Sequence, residues 1–286
     1  MGNQETYSLS LLLKYQLIEI MALWEGRLTA THLVNAFAIG RQQGSKIIER
    51  YRTEISDENL VYDKHLKGFK PTDNFKPVVT KGSFDEYMQL LNSNNDLSAH
   101  LSYLKMEAAN TEVIFSPARH IVPENIRPII AAIYQIDRLD IQYSSFTSGT
   151  DEGRVITPHS LVYSGYRWHV RAHCEKNNDY RDFVLSRISS VPEVVLPSEH
   201  GVEGDIAWNT HIILNIIPDP RLSEFQQSII ARDYNMKKQT LEITTRAALA
   251  NYYLQYLRMT PSLPEQSPEA QQLVLENYEQ VKQYLY

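Results

Sequence analysis

Eight residues near the middle of the chain, 167–174, constrain the fold most strongly. Side chains alternate between the two faces of a β-strand. The residues on one face are small or apolar and predict a core: Trp168, Val170, Ala172 and Cys174. The residues on the other face are basic: Arg167, His169, Arg171 and His173. Two Arg and two His on one face indicate either a solvated surface or the wall of an anion-binding site.

Similar short segments surround this strand. Residues 139–145 alternate apolar and polar side chains, residues 154–163 predict a second strand, and residues 180–188 predict a strand after the 167–174 segment. Gly, Ser, Asn and Asp residues mark the turns between them. Four or five short antiparallel strands at this spacing are typical of a small β-barrel.

An ordered set of motifs in this region resembles the WYL domain, a small SH3/Sm-like β-barrel of bacterial transcription regulators. The motifs are Thr157-Pro158-His159-Ser160-Leu161, then Tyr163 five residues before Trp168, and Arg181-Asp182-Phe183-Val184-Leu185-Ser186-Arg187-Ile188. Where the family has Trp-Tyr-Leu, this chain has Trp168-His169-Val170. The set spans about thirty residues, which makes it more specific than the triplet alone.

The resemblance implies a regulatory pocket for an anionic or nucleotide-like ligand. The predicted ligand-binding residues are Tyr143, Ser144, His159, His169, Arg171, Arg181 and Arg187. Arginine offers forked donors to phosphate or carboxylate, and His and Tyr add stacking surfaces. Strict alternation would put Arg181 and Arg187 beside apolar Phe183 and Leu185, so we expect either a β-bulge or arginines beyond the core. The alternative is that these are ordinary solvated barrel arginines.

The N-terminal third has a helix-turn-helix pattern. Apolar residues at helical spacing predict a helix over 8–24 that stops at Gly26, a short helix opening at Thr29, and a third helix over 41–52. In this motif the start of the last helix meets DNA base edges. The predicted DNA-reading residues are Arg41, Gln42, Gln43, Ser45 and Lys46. Gly44 within this helix indicates either a close approach to DNA or a later helix start.

A hairpin over residues 60–71 follows, with Lys64, His65 and Lys67 near its tip. A basic wing tip typically contacts phosphates. An ordinary surface helix and hairpin would give the same pattern, but a winged helix before a WYL domain is the usual order in the family. The resemblance therefore favours DNA binding by this segment.

The charge distribution is compatible with DNA binding by the N-terminal part. The chain has a net charge of −6, yet residues 1–82 hold 11 Lys/Arg against 9 Asp/Glu, a balance of +2, which leaves −8 for the remainder. No apolar run is long enough to cross a membrane, and no secretory signal precedes the first helix. The one cysteine, Cys174, excludes an internal disulfide. We therefore expect a cytoplasmic protein with no membrane partner.

The C-terminal third predicts an α/β dimerisation module. A strand over 210–217, a helix over 222–234, a strand over 240–245 and a helix over 247–259 precede a predicted terminal helix over 267–286. The predicted fold class is thus α+β and multidomain. Its parts are a winged helix-turn-helix domain over 1–82, a helical connector over 83–136, a WYL β-barrel over 137–198 and a dimerisation domain over 199–286.

The sequence does not indicate an enzyme. It lacks a Walker loop, a His-x-x-x-His pair and a Gly-x-Ser-x-Gly motif, and we predict neither a metal nor a cofactor. His159 and Ser160 are neighbours on a strand, so we expect them to face opposite ways and not to pair.

The whole chain resembles the BrxR or CapW subgroup of WYL regulators, which are found beside bacterial anti-phage defence operons. The resemblance implies a homodimer that binds an inverted-repeat operator and represses transcription, with a nucleotide or nucleic-acid fragment as effector. Two alternatives stay open: an activator of the same architecture, and a nucleic-acid-binding scaffold or effector without transcriptional output.

Overall fold

The structure, a computed structural model, describes residues 7–91, 117, 119–260 and 267–285. The chain divides into two compact units, residues 1–115 and residues 116–286. Within the described ranges, none of the helices combines the length and apolar content that crossing a membrane would require. Residues 92–116 of the predicted helical connector lie outside the described residues.

Over residues 7–91, the N-terminal unit contains three helices, a two-stranded hairpin and a fourth helix. Its elements are α1 (Leu9–Glu25), α2 (Ala30–Phe37), α3 (Arg41–Glu54), β1 (Leu60–Asp63), β2 (Gly68–Pro71) and α4 (residues 84–91). Ser8 caps α1 by accepting a hydrogen bond from the Leu11 N–H, and Gly26 ends it in the left-handed conformation with φ 67°. The two strands pair antiparallel, and Leu28 bridges to Phe69 beside them.

Some of the apolar residues that predict α1 are not buried in the core of this unit. Tyr15, Ile18 and Met21 are fully buried, whereas Leu9 is 73% exposed and Leu13 also stays exposed. The buried stretch of α1 therefore begins at its second turn. There it packs against α2 and α3 through residues that include Leu33 and Ile48.

Gly44 has a packing role that the sequence did not indicate. The helix α3 starts at Arg41, as predicted, and Gly44 is buried in its first turns. A Cβ at this position would lie 3.1 Å from the backbone oxygen of Ala30 in α2. Gly44 thus allows close contact between α2 and α3. The later helix start offered from the sequence is wrong, and the close approach to DNA stays a prediction.

A buried carboxylate ties the segment after the hairpin to α1. Glu19 accepts hydrogen bonds from the backbone N–H groups of Val78, Val79 and Thr80 at 2.8–3.1 Å, and from the hydroxyl of Tyr51 at 2.9 Å. A buried charge costs free energy unless it is hydrogen-bonded, and this one receives several donors. The contacts fix residues 78–80 against the helical core.

The second unit begins with a helix packed on a five-stranded antiparallel sheet. The helix is α5 (Pro123–Gln135), and the strands are β3 (Asp137–Ser145), β4 (Thr150–Tyr163), β5 (Trp168–Cys174), β6 (Asp179–Val184) and β7 (Glu193–Pro197). The strand order is β6-β5-β4-β3-β7. Ile129 of α5 joins Ile141, Ile156 and Val170 in the core. Pro123 occupies the first turn of α5, where its missing N–H costs no helical hydrogen bond.

The two faces of β5 differ from the prediction. Val170, Ala172 and Cys174 are fully buried as expected, but Trp168 is 45% exposed. The basic face is not solvated, because His169, Arg171 and His173 are also buried. Its covering comes from the C-terminal part of the same unit, which contributes Asp205 and Tyr252.

The end of β6 resolves the uncertainty about its arginines. The strand stops at Val184, and Leu185–Arg187 form a 3-10 turn instead of continuing the predicted strand. Because Arg187 lies in this turn, the alternation of side chains along a strand does not apply to it, and it does not have to share a face with Leu185. Arg181 lies within β6 and is exposed, while Phe183 is buried in the core.

The C-terminal part forms a three-stranded sheet with short helices. Its elements are α6 (Ile206–Asn209), β8 (His211–Pro218), α7 (Glu224–Asp233), β9 (Leu241–Arg246), α8 (Ala250–Tyr256), α9 (Pro268–Gln271), β10 (Leu273–Leu275) and α10 (Tyr278–Val281). The single terminal helix predicted over 267–286 is wrong. Gln272 adopts a left-handed φ of 64° and ends α9, after which β10 pairs with β8. Leu273 and Leu275 are buried in the sheet's core.

Candidate nucleic-acid interface and ligand site

The predicted DNA-reading residues share one exposed surface. Arg41, Gln42, Gln43, Ser45 and Lys46 are all exposed at the start of α3. Ile47, Ile48 and Tyr51 on the same helix are buried. One side of the helix is therefore packed into the core, and the polar side chains at its N-terminal end are accessible to a DNA groove.

The charges on α3 are not equally available. Arg50 pairs with Glu54 at 2.7 Å, and Arg52 pairs with Glu49 at 2.8 Å, both within the helix. Over the described part of the chain, no carboxylate pairs with Arg41 or Lys46. The unneutralised cations thus lie toward the helix N-terminus, which also carries the positive end of the helix dipole.

The hairpin tip has a defined conformation. Asp63 Oδ1 accepts hydrogen bonds from the N–H groups of His65 at 2.8 Å and Leu66 at 3.1 Å. Arg27 Nε donates to the Leu66 carbonyl oxygen at 2.7 Å, which attaches the tip to the loop after α1. Lys64, His65 and Lys67 are exposed on this tip, as a phosphate-contacting wing requires.

The seven predicted ligand-binding residues do not form one pocket. Tyr143 is half-buried against the core of the five-stranded sheet, packs edge-on against Phe183 and accepts a hydrogen bond from the Val184 N–H at 3.1 Å. Ser144 donates to Asp151 at the neighbouring end of β4. These two residues are therefore occupied by structural contacts.

Two of the seven, His159 and Arg171, meet at a carboxylate. Arg171 donates from Nε to Asp205 Oδ2 at 2.7 Å and from Nη2 to Oδ1 at 3.2 Å. His159 Nε2 lies 3.2 Å from the same Oδ2. The side chains of Arg171 and Asp205 are only 6% and 2% exposed, so the bidentate pair is shielded from water. Such a pair places two charges in a weakly screening environment.

The carboxylate of Asp205 is the main counterion in this cluster. Burial acts to raise its pKa, but hydrogen bonds from His159, Arg171 and the Trp208 N–H outweigh burial and hold the pKa well below its usual range. Asp182 lies 3.5 Å from Arg171 and accepts a hydrogen bond from Tyr252 at 2.8 Å. Burial raises the pKa of Asp182 despite the opposing effect of Arg171. Asp205 is therefore the more firmly ionised of the two.

A polar cleft reaches this cluster. It has a volume of about 680 Å³, and its walls include Arg171, Arg181, Asp182 and Tyr252. Arg181 is exposed there, so it is the predicted ligand residue most accessible from the cleft. The cleft carries both cationic and anionic side chains and suits a polar ligand.

His169 and Arg187 belong to a separate basic cluster. His169 is 3% exposed, its ring lies 5.0 Å from that of Tyr252, and its Nδ1 has no hydrogen-bond partner in the described structure. Burial, followed by the positive charges of Arg167, Arg187 and Arg119, lowers the pKa of His169 to about 4. The imidazole is therefore neutral at physiological pH and sits in a positive field.

The expectation that His159 and Ser160 cannot pair is wrong. The register between β4 and β5 shifts at Pro158–Ser160, and this irregularity brings His159 Nδ1 within 2.9 Å of Ser160 Oγ. His159 thus connects Ser160 to Asp205. Both oxygens of Asp205 are shared with Arg171, so this carboxylate holds a cation and does not serve one histidine alone.

Sequence reasoning missed three residues of the Arg171 cluster: Asp205, Asp182 and Tyr252. Asp205 precedes the first strand predicted for the C-terminal third, and it caps α6 by accepting a hydrogen bond from the Trp208 N–H at 3.0 Å. An aspartate before a short helix is a recognisable cap signal. No local signal indicates that the same carboxylate reaches an arginine 34 residues away.

Three family models match the chain in the predicted order. The winged helix-turn-helix domain of the BrxR transcriptional regulator matches residues 10–93, the WYL domain matches residues 124–193, and the C-terminal dimerization domain of the BrxR transcriptional regulator matches residues 211–281. They confirm the predicted fold class and domain order. The matched ranges do not fix the domain boundaries, which stay predictions.

Curated relatives resemble the chain over nearly its whole length. A protein of Escherichia coli (strain KTE188) described as DNA-binding transcriptional repressor CapW is 32% identical over 94% of this chain and 89% of the relative. Proteins of the same description from Pseudomonas aeruginosa and Stenotrophomonas maltophilia are 29% and 27% identical, each over 94% of this chain and 90% of the relative.

Proposed function

The chain belongs to the family of BrxR and CapW transcriptional regulators, and from this premise we propose that it represses transcription by binding an inverted-repeat operator as a homodimer. The family comprises DNA-binding repressors and not enzymes. A defence operon is the proposed target, in line with the family resemblance. The proposed protein partner is a second copy of the chain.

The observation that carries this proposal is the polar surface at the start of α3. Arg41 and Lys46 are exposed cations with no carboxylate partner in the described ranges, and Gln42 and Gln43 lie beside them. Arginine suits guanine and glutamine suits adenine as bidentate partners in the major groove. The exposed basic tip of the hairpin, with Lys64, supplies the expected phosphate contact.

We further propose that the central domain senses an anionic ligand, such as a nucleotide or a nucleic-acid fragment. The cleft lined by Arg171 and Arg181 and the basic cluster of Arg187 and His169 supply donors and positive charge for such a ligand. A ligand alters operator affinity only if it binds the DNA-competent and the released states with different affinities.

The test is a gel shift on the DNA upstream of the gene, with nonspecific competitor DNA at a stated salt concentration. Arg41→Ala should weaken specific binding by about 5- to 150-fold, which corresponds to the loss of roughly 1–3 kcal/mol for one bidentate base contact. Arg50→Ala is the matched control, since Arg50 lies on the same helix but pairs with Glu54. It should bind within about twofold of the wild type.

Equal losses in the two variants would show that general positive charge, and not base reading by Arg41, governs binding. The absence of a specific shift at any salt concentration would exclude that DNA as the operator. The proposal would then have to be abandoned for this promoter.

A further inference from the structure

The Arg171 site already contains an anion supplied by the chain. Asp205 engages Arg171 through two hydrogen bonds at 2.7 and 3.2 Å, and His159 contacts the same carboxylate at 3.2 Å. This forked geometry is the one that arginine makes with a carboxylate or phosphate ligand. Two residues predicted to hold an external ligand are thus occupied from within.

The segment that carries Asp205 connects the barrel to the C-terminal sheet. Asp205 caps α6 through the Trp208 N–H, and the Trp208 carbonyl oxygen in turn accepts a hydrogen bond from Arg246 of β9 at 2.6 Å. The ring of Trp208 lies 5.4 Å from that of His159. The contacts of Asp205 therefore link the barrel to residues 211–281, which match a dimerization domain.

A route for exchange exists on one side of the pair. The cleft of about 680 Å³ is lined by Arg181 and Tyr252 and, at its buried end, by Arg171. Arg181 is exposed in the cleft, so an anion entering it would meet Arg181 first and would then have to compete with Asp205 for Arg171. Asp182 also lines the cleft, and its contact with Arg171 is the longer one, at 3.5 Å.

We propose that Asp205 is an internal ligand that keeps the Arg171–His159 site closed until an external anion displaces it. Displacement releases the cap of α6 and so loosens the connection between the barrel and the C-terminal sheet. This inference rests on the proposed anion sensing by the central domain and adds its regulation. With an internal competitor, the apparent affinity for the external anion equals the intrinsic affinity multiplied by the fraction of molecules in which the site is open.

The test measures binding of inorganic phosphate by calorimetry at pH 7, with ionic strength held constant by chloride. Asp205→Asn removes the competing charge, and asparagine is as good an N-cap as aspartate, so α6 keeps its cap. This variant should bind phosphate at least tenfold more tightly than the wild type. The gain should disappear in Asp205→Asn combined with Arg171→Gln, which removes the proposed acceptor of the anion.

Asp219→Asn is the matched control. Asp219 is another buried carboxylate of the same unit, and it is paired with an arginine, Arg221, at 2.6 Å. It lies outside the cleft walls. An affinity gain of the same size in this control would overturn the proposal, because the effect would then follow from net charge alone.

Hydrogen exchange on the wild type gives a second readout that needs no variant. Saturating phosphate should accelerate exchange of the amides of residues 206–209 several-fold, since the cap is released. Unchanged or slower exchange there at saturation would overturn the proposal. Asp205→Ser, which keeps a capping side chain, replaces Asp205→Asn if that variant does not fold.

The outcomes separate this inference from the proposed function. If the wild type and Asp205→Asn bind phosphate equally and Arg187→Ala abolishes binding, anion sensing stands but the Asp205 proposal fails. If neither protein binds phosphate, the Asp205 proposal also fails, whereas a specific gel shift would still support operator binding.

Discussion

At the residue scale, His169 departs most clearly from the family pattern. It occupies the place of the family's central Tyr and is buried beside Tyr252, and its Nδ1 has no hydrogen-bond partner among the residues that the structure describes. Burial and the nearby arginines lower its pKa to about 4. The substitution thus replaces a neutral phenol by a group whose protonation the folded state strongly disfavours.

This arrangement predicts a pH-dependent stability. Between pH 6.5 and about 4 the unfolded chain binds a proton at His169 that the folded chain does not bind. The free energy of unfolding should therefore fall as the pH falls through this window, by roughly 2–3 kcal/mol for this residue. His169→Phe keeps an aromatic ring but cannot be protonated, so it should flatten the dependence.

The measurement is urea unfolding at several pH values, followed through hydrogen exchange of the β5 amides. The pKa of His173 is also lowered, first by burial and then by His200, so some dependence should remain in His169→Phe. His169→Phe combined with His173→Phe should be flatter still. An unchanged slope in His169→Phe would contradict the prediction.

The residue scale also shows what the sequence could not provide. Exposure of Arg41 and Lys46 follows from the helical period of α3, so their placement was predictable. The pairing of Arg171 with Asp205 joins residues 34 positions apart and depends on how the C-terminal part folds onto the barrel. Alternation on β5 identified the basic face correctly but carried no information about what covers it.

At the element scale, α3 depends on one close contact with α2. An ideal Cβ on Gly44 would lie 3.1 Å from the Ala30 carbonyl oxygen and 3.4 Å from its Cβ. The position tolerates no large side chain without separation of the two helices. The exposed polar surface of α3 therefore depends on a glycine on its opposite, buried side.

Gly44→Leu should force α2 and α3 apart. Overpacking of this kind costs about 1–3 kcal/mol of folding free energy. Operator affinity should fall at least tenfold, because Arg41 would no longer be held in position relative to the rest of the motif. Thermal unfolding and the gel shift together measure both effects.

Gly40→Ser is the control for this element. Apart from Gly40, its two chain neighbours and the backbone of its own helix, no atom of the described residues lies within 4 Å of the place where a Cβ on Gly40 would sit. Serine is also a preferred N-cap residue. It should retain stability and operator binding. If Gly44→Leu behaved like this control, the contact between α2 and α3 would not limit the geometry of the motif.

A helix whose ends are marked by capping residues could be predicted from the sequence, whereas a strand that forms only by pairing with a distant strand could not. Ser8 and Gly26 delimit α1, as their positions in the sequence indicate. The segment after residue 267 has helical apolar spacing, yet Leu273–Leu275 form a strand because β8 offers an unpaired edge. Periodicity cannot distinguish these outcomes for a short apolar run.

At the scale of the whole molecule, the charge distribution and the domain order both indicate that the N-terminal part contacts DNA and the C-terminal part forms the dimer. The N-terminal 82 residues have a net charge of +2, while the remainder carries −8. A basic segment on an acidic chain limits attraction to DNA to one part of the molecule. The C-terminal part matches a dimerization domain, and a homodimer formed through it contains two such basic N-terminal segments.

A dimer of this kind makes operator geometry testable. Two-fold symmetric helix-turn-helix dimers bind half-sites about one helical turn apart, or a multiple of it, so both recognition helices face the same side of the duplex. Inserting five base pairs between the half-sites rotates one of them by about half a turn. We expect this insertion to lower affinity at least tenfold, toward that of a single half-site. Quantitative gel shifts on the native, inserted and single-half-site duplexes measure it. Equal affinity for all three would mean that each subunit binds independently, and the homodimeric operator complex would be disproved.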